Sequence, residues 1–562
     1  MSVSQLPTEF DQYYTHAQIT KWLKQAVRLH PKLARLTEIG KSYAGKPLWV
    51  MEITDTRKGD FADKPAYYIE ANIHATEFCG EVVCRWLIWH LLTNHRKSDI
   101  RKLLAERTFY VMPRISVDGA DIALTSPERM RSSIRPYPHA EEQPGLRPED
   151  IDGDGRILAM RLKDPCGSWK ASDVDPRIME KRGIDEDGGE YYRIVSEGKL
   201  YDWDGHGIPL APSKWGLDMN RNWPHDWAPD SEQGGAGPMP LSEPETRAVA
   251  DFITGHPNIC GIQSLHLTSG VILRPYCAKD DETLPTRDLE VYEALGKRGE
   301  ELTGYPCVSI YHGFRYDPKQ FIRGGFLDWG YHDLGIFTFS TELWDAIKTA
   351  GIEDRDIIKF WMFDRTPEDE KTMLDWSDSE LDGAGFKPWT AFKHPQLGEV
   401  EIGGWDFPAV WGSPPPRFRE EIAENSGLFA IAHAKTSPLV KIDDASAEPL
   451  GDGLYRISCT VRNHGFLHTA VSEQAVARSL VRPLRVEVAP PSGCVIQAGR
   501  KRQDIGHLRG RSDQLRKSFF SHDSTDNERY VEWVVEGKPG KRITITVTGQ
   551  RTGKQTARIK LP

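Results

Sequence analysis

From position 15 the apolar residues recur at helical spacing. Ile19, Trp22, Leu23, Ala26 and Val27 stand at i, i+3, i+4, i+7 and i+8, which predicts an amphipathic helix with one buried stripe. Short runs of aliphatic, aromatic and β-branched residues follow at 48–54 and 66–73, then a mostly apolar helical stretch at 81–92 and a β-type run at 108–115. Ser242-Glu243-Pro244-Glu245 has the form of a capping box with proline in the first turn, so a helix is expected from there through Phe252. Two β-type runs at 261–267 and 271–276, a helix over about 287–302 and an apolar strand at 336–343 complete the alternation. Strands alternating with helices predict an α/β fold, a mixed sheet covered by helices on both faces.

The pattern breaks twice. Between about 136 and 212 glycine, aspartate and proline dominate and no long apolar period is present, so this stretch reads as an insertion without regular structure, a wall or lid over a cleft. After Asp364 a charged helix over about 367–376 leads into a segment rich in glycine, proline and tryptophan, with Trp389, Trp405 and Trp411. Packing between domains accounts for those tryptophans more simply than a binding surface. From about Pro438 the chain reads as all-β: residues 454–461 and 542–548 are β-rich, and Ile543, Ile545 and Val547 alternate with polar positions, as in one inward face of a β-sandwich. The expected organisation is a domain over 1–365 with an insertion at about 136–212, a connecting segment over 366–437, and a sandwich over 438–562.

Composition narrows the partners. A length of 562 residues makes room for roughly two to four domains, and 39% hydrophobic with 27% charged residues is the balance of a globular protein. The formal charge of -10 gives no reason to expect nucleic acid. The basic run 499–517 (Arg500, Lys501, Arg502, Arg509, Arg511, Arg516, Lys517) reads as a solvated loop. No apolar run approaches the length of a membrane span, and MSVSQLPTEFDQYY lacks the basic and apolar regions of a signal peptide. With eight cysteines scattered outside any CxxC pair, this predicts a cytoplasmic protein with reduced thiols.

The chemistry lies at strand ends. His74-Ala-Thr-Glu77 directly follows the run 66–73, His266 closes the run 261–267, and Glu342 closes 336–343. Imidazole and carboxylate are good zinc ligands, and the carboxyl ends of strands are where α/β sheets build their sites. Alone, H-x-x-E is common and a strand-end histidine is usually a core residue; three such ends in one chain are rarely supplied by chance. A fourth element, Asp218-Met-Asn220-Arg221-Asn222-Trp223, places an amide beside a guanidinium fork suited to a carboxylate.

Taken together and in order, these elements resemble the zinc carboxypeptidase family of the carboxypeptidase A/B type. The segment Gly324-Gly-Phe-Leu-Asp-Trp329-Gly-Tyr331, thirteen residues from Trp329 to Glu342, is similar to the family's as well. The resemblance covers roughly Tyr14 to Trp344. It implies that His74, Glu77 and His266 hold one zinc ion per chain and that Glu342 is the general base. It further implies that Asn220 and Arg221 clamp a substrate's free carboxylate, and that Arg131, with Arg129 as the alternative, stabilises the oxyanion. The position that governs the side-chain pocket falls on Leu327, which implies an apolar preference. Two departures stand out: the family's mobile tyrosine aligns with Gln320, with Tyr316 nearby, and Thr76 replaces an arginine.

The implied activity is hydrolysis of the C-terminal peptide bond of peptides. An amidase or deacylase acting on small acylated amino acids, and a non-catalytic binding module derived from a peptidase, remain the alternatives. Asp150-Ile-Asp152-Gly-Asp154-Gly155 opens like a calcium loop, but its twelfth position is Arg161. It reads as an acidic turn, with a structural calcium ion as the alternative.

Overall fold

The structure is a computed structural model that describes residues 6–317, 319–353, 355–515, 522 and 524–562. Residues 1–5 of the N-terminal stretch, and Arg516 and Lys517 of the basic run, lie outside the described residues. An eight-stranded mixed sheet is built from β1 (Ala34–Lys41), β2 (Pro47–Ile53), β3 (Ala66–Ala71), β4 (Thr108–Met112), β5 (Ile259–Leu267), β6 (Val271–Arg274), β7 (Cys307–Ser309) and β8 (Phe337–Leu343). Their order is β1-β2-β4-β3-β5-β8-β6-β7. β3 is parallel to β4 and β5, β5 is parallel to β8, and β6 is antiparallel to β8. β3 is buried throughout and β5 nearly so, as expected of parallel strands covered on both faces.

On one face the stripe of α1 (His16–Leu29), Ile19, Trp22, Leu23 and Ala26, packs with Val83 and Leu87 of α2 (Cys79–Thr93). On the other, Val249, Phe252 and Ile253 of α3 (Pro244–Gly255) pack with Trp223, Phe326 and Trp329. Gly80 decides how close α2 comes to the sheet. A Cβ there would lie 2.8 Å from Ala71 Cβ and 3.0 Å from Leu265 Cβ, closer than side chains tolerate. The first turn of α2 therefore rests on β3 and β5, which brings Glu77 to their carboxyl ends.

The expected capping box at Ser242 does not form. Helix α3 starts at Pro244, but its N-cap Glu243 makes no side-chain cap bond. The Ser242 hydroxyl is taken by Asn222 Nδ2 and Glu243 Oε1, at 2.9 and 2.8 Å, and Asn222 Oδ1 receives Thr246 Oγ1 at 2.8 Å. The Asn222 side-chain amide, brought in by the tertiary fold, has displaced the local motif.

The stretch 136–212 is not structureless. Ala159–Lys163, Trp169–Ala171, Met179–Lys181 and Tyr192–Ser196 join Phe386–His394 and Gly398–Trp405 in a six-stranded antiparallel sheet. The segment 366–437 is likewise more than a connection: besides these two strands it holds the 20-residue helix α5 (Pro416–Lys435), which packs Ala423, Ala430 and Ala434 into the core beside α2. The small sheet escaped the sequence pattern because its core is only Leu158, Met160, Val400 and Ile402 with a few half-buried neighbours. Much of the rest is cation–aromatic stacking, with the Arg161 guanidinium 4.8 Å from the Tyr192 ring and 4.7 Å from Trp389. In the acidic turn Lys387 Nζ sits 2.6 Å from both Asp152 and Asp154.

The C-terminal region is a sandwich of two four-stranded antiparallel sheets. Ile457, Cys459, Val461 and Trp533 of one sheet meet Val486, Val488, Ile543, Ile545 and Val547 of the other. It docks on the amino ends of the central strands. Arg551 donates to the carbonyls of Ile259 and Leu334, Ser472 Oγ donates to Gly335 O at 2.7 Å, and Gly553 (φ +68°) lies where a Cβ would come 2.1 Å from Asp63 O. Among the described residues no helix is long and apolar enough to cross a membrane.

Candidate metal centre

The carboxyl ends of β3, β5 and β8 converge on one buried spot. His74 follows β3, held by Asn72, whose Nδ2 donates to the carbonyls of His74 and Glu77 at 3.2 and 2.7 Å. His266 lies near the end of β5, directly opposite Glu342 in the parallel register with β8. The ligand-type atoms of His74, Glu77 and His266 lie together: His74 Nδ1 is 2.7 Å from Glu77 Oε1 and 3.2 Å from His266 Nδ1, which is 3.2 Å from Glu77 Oε2.

The donor set fits zinc. Asp218 at His74 Nε2, and at His266 Nε2 a Ser264 hydroxyl that itself donates to Glu70, draw both ring N–H groups outward, so two Nδ1 lone pairs face each other, and Glu77 Oε2 is buried without a hydrogen-bond partner. The separations approximate the edge of about 3.3 Å expected between donors around a tetrahedral zinc.

Surrounding groups fix these ligands. His74 Nε2 meets Asp218 Oδ1 at 3.1 Å, and Asp218 Oδ2 accepts from Arg131 Nε at 2.9 Å. His266 Nε2 meets Ser264 Oγ at 3.1 Å, and Ser264 Oγ donates to the buried Glu70 at 3.0 Å. Carboxylates behind the outer ring nitrogen set the tautomer and orientation of a metal-binding histidine. Sequence reasoning missed Asp218 and Glu70. The signals were there: Asp218 is two residues before Asn220, and Glu70 is an acid in an otherwise apolar strand.

The electrostatics are strongly polarised. Burial raises Asp218, but Arg131, Arg221 and His74 more than offset it and hold the carboxyl well below its usual range. Glu77 is likewise lowered against its burial by the two imidazoles. Glu342 goes the other way: burial pushes it up to about 8, with His266 opposing and Glu77 adding to the rise. Glu70 rises to about 7 through burial, moderated by hydrogen bonds from Ser264 and Tyr68.

The remaining candidates are placed as follows. Arg131 stands at the site, its Nη1 3.5 Å from Glu77 Oε1, whereas Arg129 donates to Ile157 O at 3.0 Å and faces the insertion. Asn220 Oδ1 accepts from Phe326 N at 3.0 Å, and Arg221 Nη1 donates to Asn220 O at 2.9 Å. Among the described residues no carboxylate pairs with Arg221, so its guanidinium is available to one from outside. Leu327 is buried in an apolar cluster with Val271, Leu273, Cys277, Ile310 and Phe314. Tyr316, 48% exposed, lies within electrostatic reach of Glu342, Arg221 and Arg131.

A family model described as zinc carboxypeptidase matches residues 19–156 and 184–365, and a second, described as a domain of unknown function, matches residues 439–560. Carboxypeptidase A6 of Mus musculus is 24% identical over 345 residues, covering 60% of this chain and 61% of that protein. Carboxypeptidase B2 of Homo sapiens is 26% identical over 352 residues, covering 60% and 64%. The chain thus spans less than two thirds of the length of these relatives. The crystal structure of thrombin activatable fibrinolysis inhibitor superposes with a TM-score of 0.43 at 18% identity, over 76% of this chain and 74% of that one.

Proposed function

The chain belongs to the zinc carboxypeptidase family, and we propose that it is a working zinc metallocarboxypeptidase that removes the C-terminal residue of peptides. The observation that carries this reading is the convergence of His74, Glu77 and His266 with Glu342 opposite in register and Arg221 left without a carboxylate. Zinc held by His74, Glu77 and His266 supplies a Lewis acid for the scissile carbonyl and a more acidic water.

The chain's own residues do the rest. Arg221 and Asn220 receive the substrate's terminal carboxylate as a planar fork and an amide. Glu342, unpaired and half-buried, accepts a proton from the attacking water and returns it to the leaving nitrogen. Arg131, on the open side of the ligands, donates to the negative charge that develops on the carbonyl oxygen, a contribution typically of about 3 kcal/mol. Tyr316 supplies the phenol near the scissile group in place of Gln320. The apolar surroundings of Leu327 favour an apolar C-terminal side chain.

The test is a mass-spectrometric digest of free and C-terminally amidated peptides by the zinc-loaded chain and by Glu342→Gln. Single-residue loss from free peptides only, with the variant at least about 100-fold slower, is expected. Equal cleavage of amidated peptides would remove Arg221 as the specificity clamp and favour amidase chemistry. No cleavage of any peptide by a zinc-loaded chain would overturn the reading.

A further inference from the structure

Away from the site described, one other group among the described residues combines imidazoles with a carboxylate at ligand spacing. His332 and Asp333 lie just before the amino end of β8, and His225 lies in the segment that follows Asn222. His225 Nδ1 is 3.3 Å and His332 Nδ1 2.9 Å from the same atom, Asp333 Oδ1. The two rings stack with centroids 4.0 Å apart. The two nitrogen–carboxylate separations match the 2.7 and 3.2 Å that His74 and His266 keep from Glu77 to within a few tenths of an ångström. All three residues are half-buried, with one side open to solvent.

That open side is covered by Arg478, which belongs to the C-terminal sandwich. Its Nη1 lies 2.9 Å from His332 Nδ1 and 3.1 Å from Asp333 Oδ1. The same Nη1 also donates to the His332 carbonyl, so its two N–H groups are accounted for by that oxygen and Asp333 Oδ1. A positive charge is thus already held against the ring nitrogen and the carboxylate, supplied from the rim by the arginine.

We propose that His225, His332 and Asp333 form a second metal site, for zinc or a similar borderline transition ion, at the junction of the catalytic domain and the sandwich, in competition with the Arg478 side chain. Two imidazoles and one carboxylate select zinc, cobalt or nickel over calcium and magnesium, which prefer all-oxygen sets. The site lies at the amino end of β8, whereas Glu342 is near its carboxyl end, so the two sites are distinct. An ion there would tie the segment that carries Asn220 and Arg221 to the turn that leads into β8. It would also release Arg478, one of the sandwich's contacts to the catalytic domain, where Gln474 Nε2 additionally donates to His332 O at 3.2 Å.

The test is equilibrium dialysis of the full chain against micromolar zinc chloride with metal counted by mass spectrometry, alongside cobalt(II) absorption. Two equivalents are expected for the wild type, and one for His225→Ala with His332→Ala. His74→Ala should lose the other equivalent and still melt at a higher temperature when zinc is added. Arg478→Met, with its competing charge gone, should bind the second ion at least tenfold more tightly. Asp333→Asn, nearly isosteric, serves if the double histidine variant does not fold. A single equivalent in the wild type that His74→Ala abolishes would overturn the proposal. So would a second equivalent that survives both the double variant and Asp333→Asn.

Discussion

His433 of α5 offers a quantitative test of the packing argument. It is 1% exposed, and neither ring nitrogen has a hydrogen-bond partner. The ring lies edge-on to Tyr67 and Phe339, with centroids 5.0 and 5.5 Å away, and Gly261 makes room for it, since a Cβ there would come 2.9 Å from His433 Nε2. Burial with no compensating partner pushes its pKa down to about 3, against 6.5 for the free side chain. The sign follows directly. Below pH 6.5 the unfolded chain takes up a proton that the folded chain refuses until about pH 3. Stability therefore falls as the pH drops through that window and is level above it. Two pH units below 6.5 the cost is about 2.7 kcal/mol from this residue alone. His433→Phe keeps a ring of similar size and removes both nitrogens. At neutral pH it should be at least as stable as the wild type. Its advantage should then grow by about 2.7 kcal/mol between pH 7 and about pH 4.5, read from urea unfolding followed by tryptophan fluorescence. Comparing the two proteins at each pH cancels metal loss and the other histidines. A stability difference that does not change with pH would mean that folded His433 titrates normally, and the reasoning from burial would be wrong.

Other consequences can be measured independently. Asp218→Asn removes the carboxylate behind His74 and should weaken zinc binding about 10- to 100-fold in a chelator competition; unchanged affinity would show that Asp218 does not set the ligand. Leu327→Asp places a charge in an apolar cluster, so kcat/KM for peptides ending in phenylalanine should fall, both absolutely and relative to that for peptides ending in lysine or arginine; an unchanged ratio would place the side-chain pocket elsewhere. Gly553→Ala sets a methyl group against Asp63 O and should destabilise the sandwich's docking by about 2 kcal/mol or more, seen as faster proteolysis between the domains at unchanged zinc content. Equal proteolysis would mean that the backbone there yields cheaply.

The strand ends carrying His74, His266 and Glu342 were legible because a polar residue closing an apolar run is itself a signal, and each run belonged to a strand long enough to show its pattern. Helix α1 was legible for the same reason, its stripe spanning several turns. The small six-stranded sheet was hidden because the pairing that joins its two halves spans more than 200 residues, as Arg161 and Glu401 show, and its strands expose one side in charged or aromatic form. No local pattern encodes such a pairing. The capping box at Ser242 failed for a related reason: the Asn222 side chain, about twenty residues upstream, bonds Ser242, Glu243 N and Thr246, and a four-residue sequence window contains no trace of it. Arg131 and Arg129 were separable only once the insertion was in place, because Ile157 occupies one of them.

The docking of the sandwich on the amino ends of β3, β5 and β8 has a practical side. The sandwich lies on the floor of the central sheet, while His74, Glu77, His266 and Glu342 stand at its roof. A chain tethered to a bead, a scaffold or a second protein through a residue on the sandwich would therefore hold those four residues on the side away from the support.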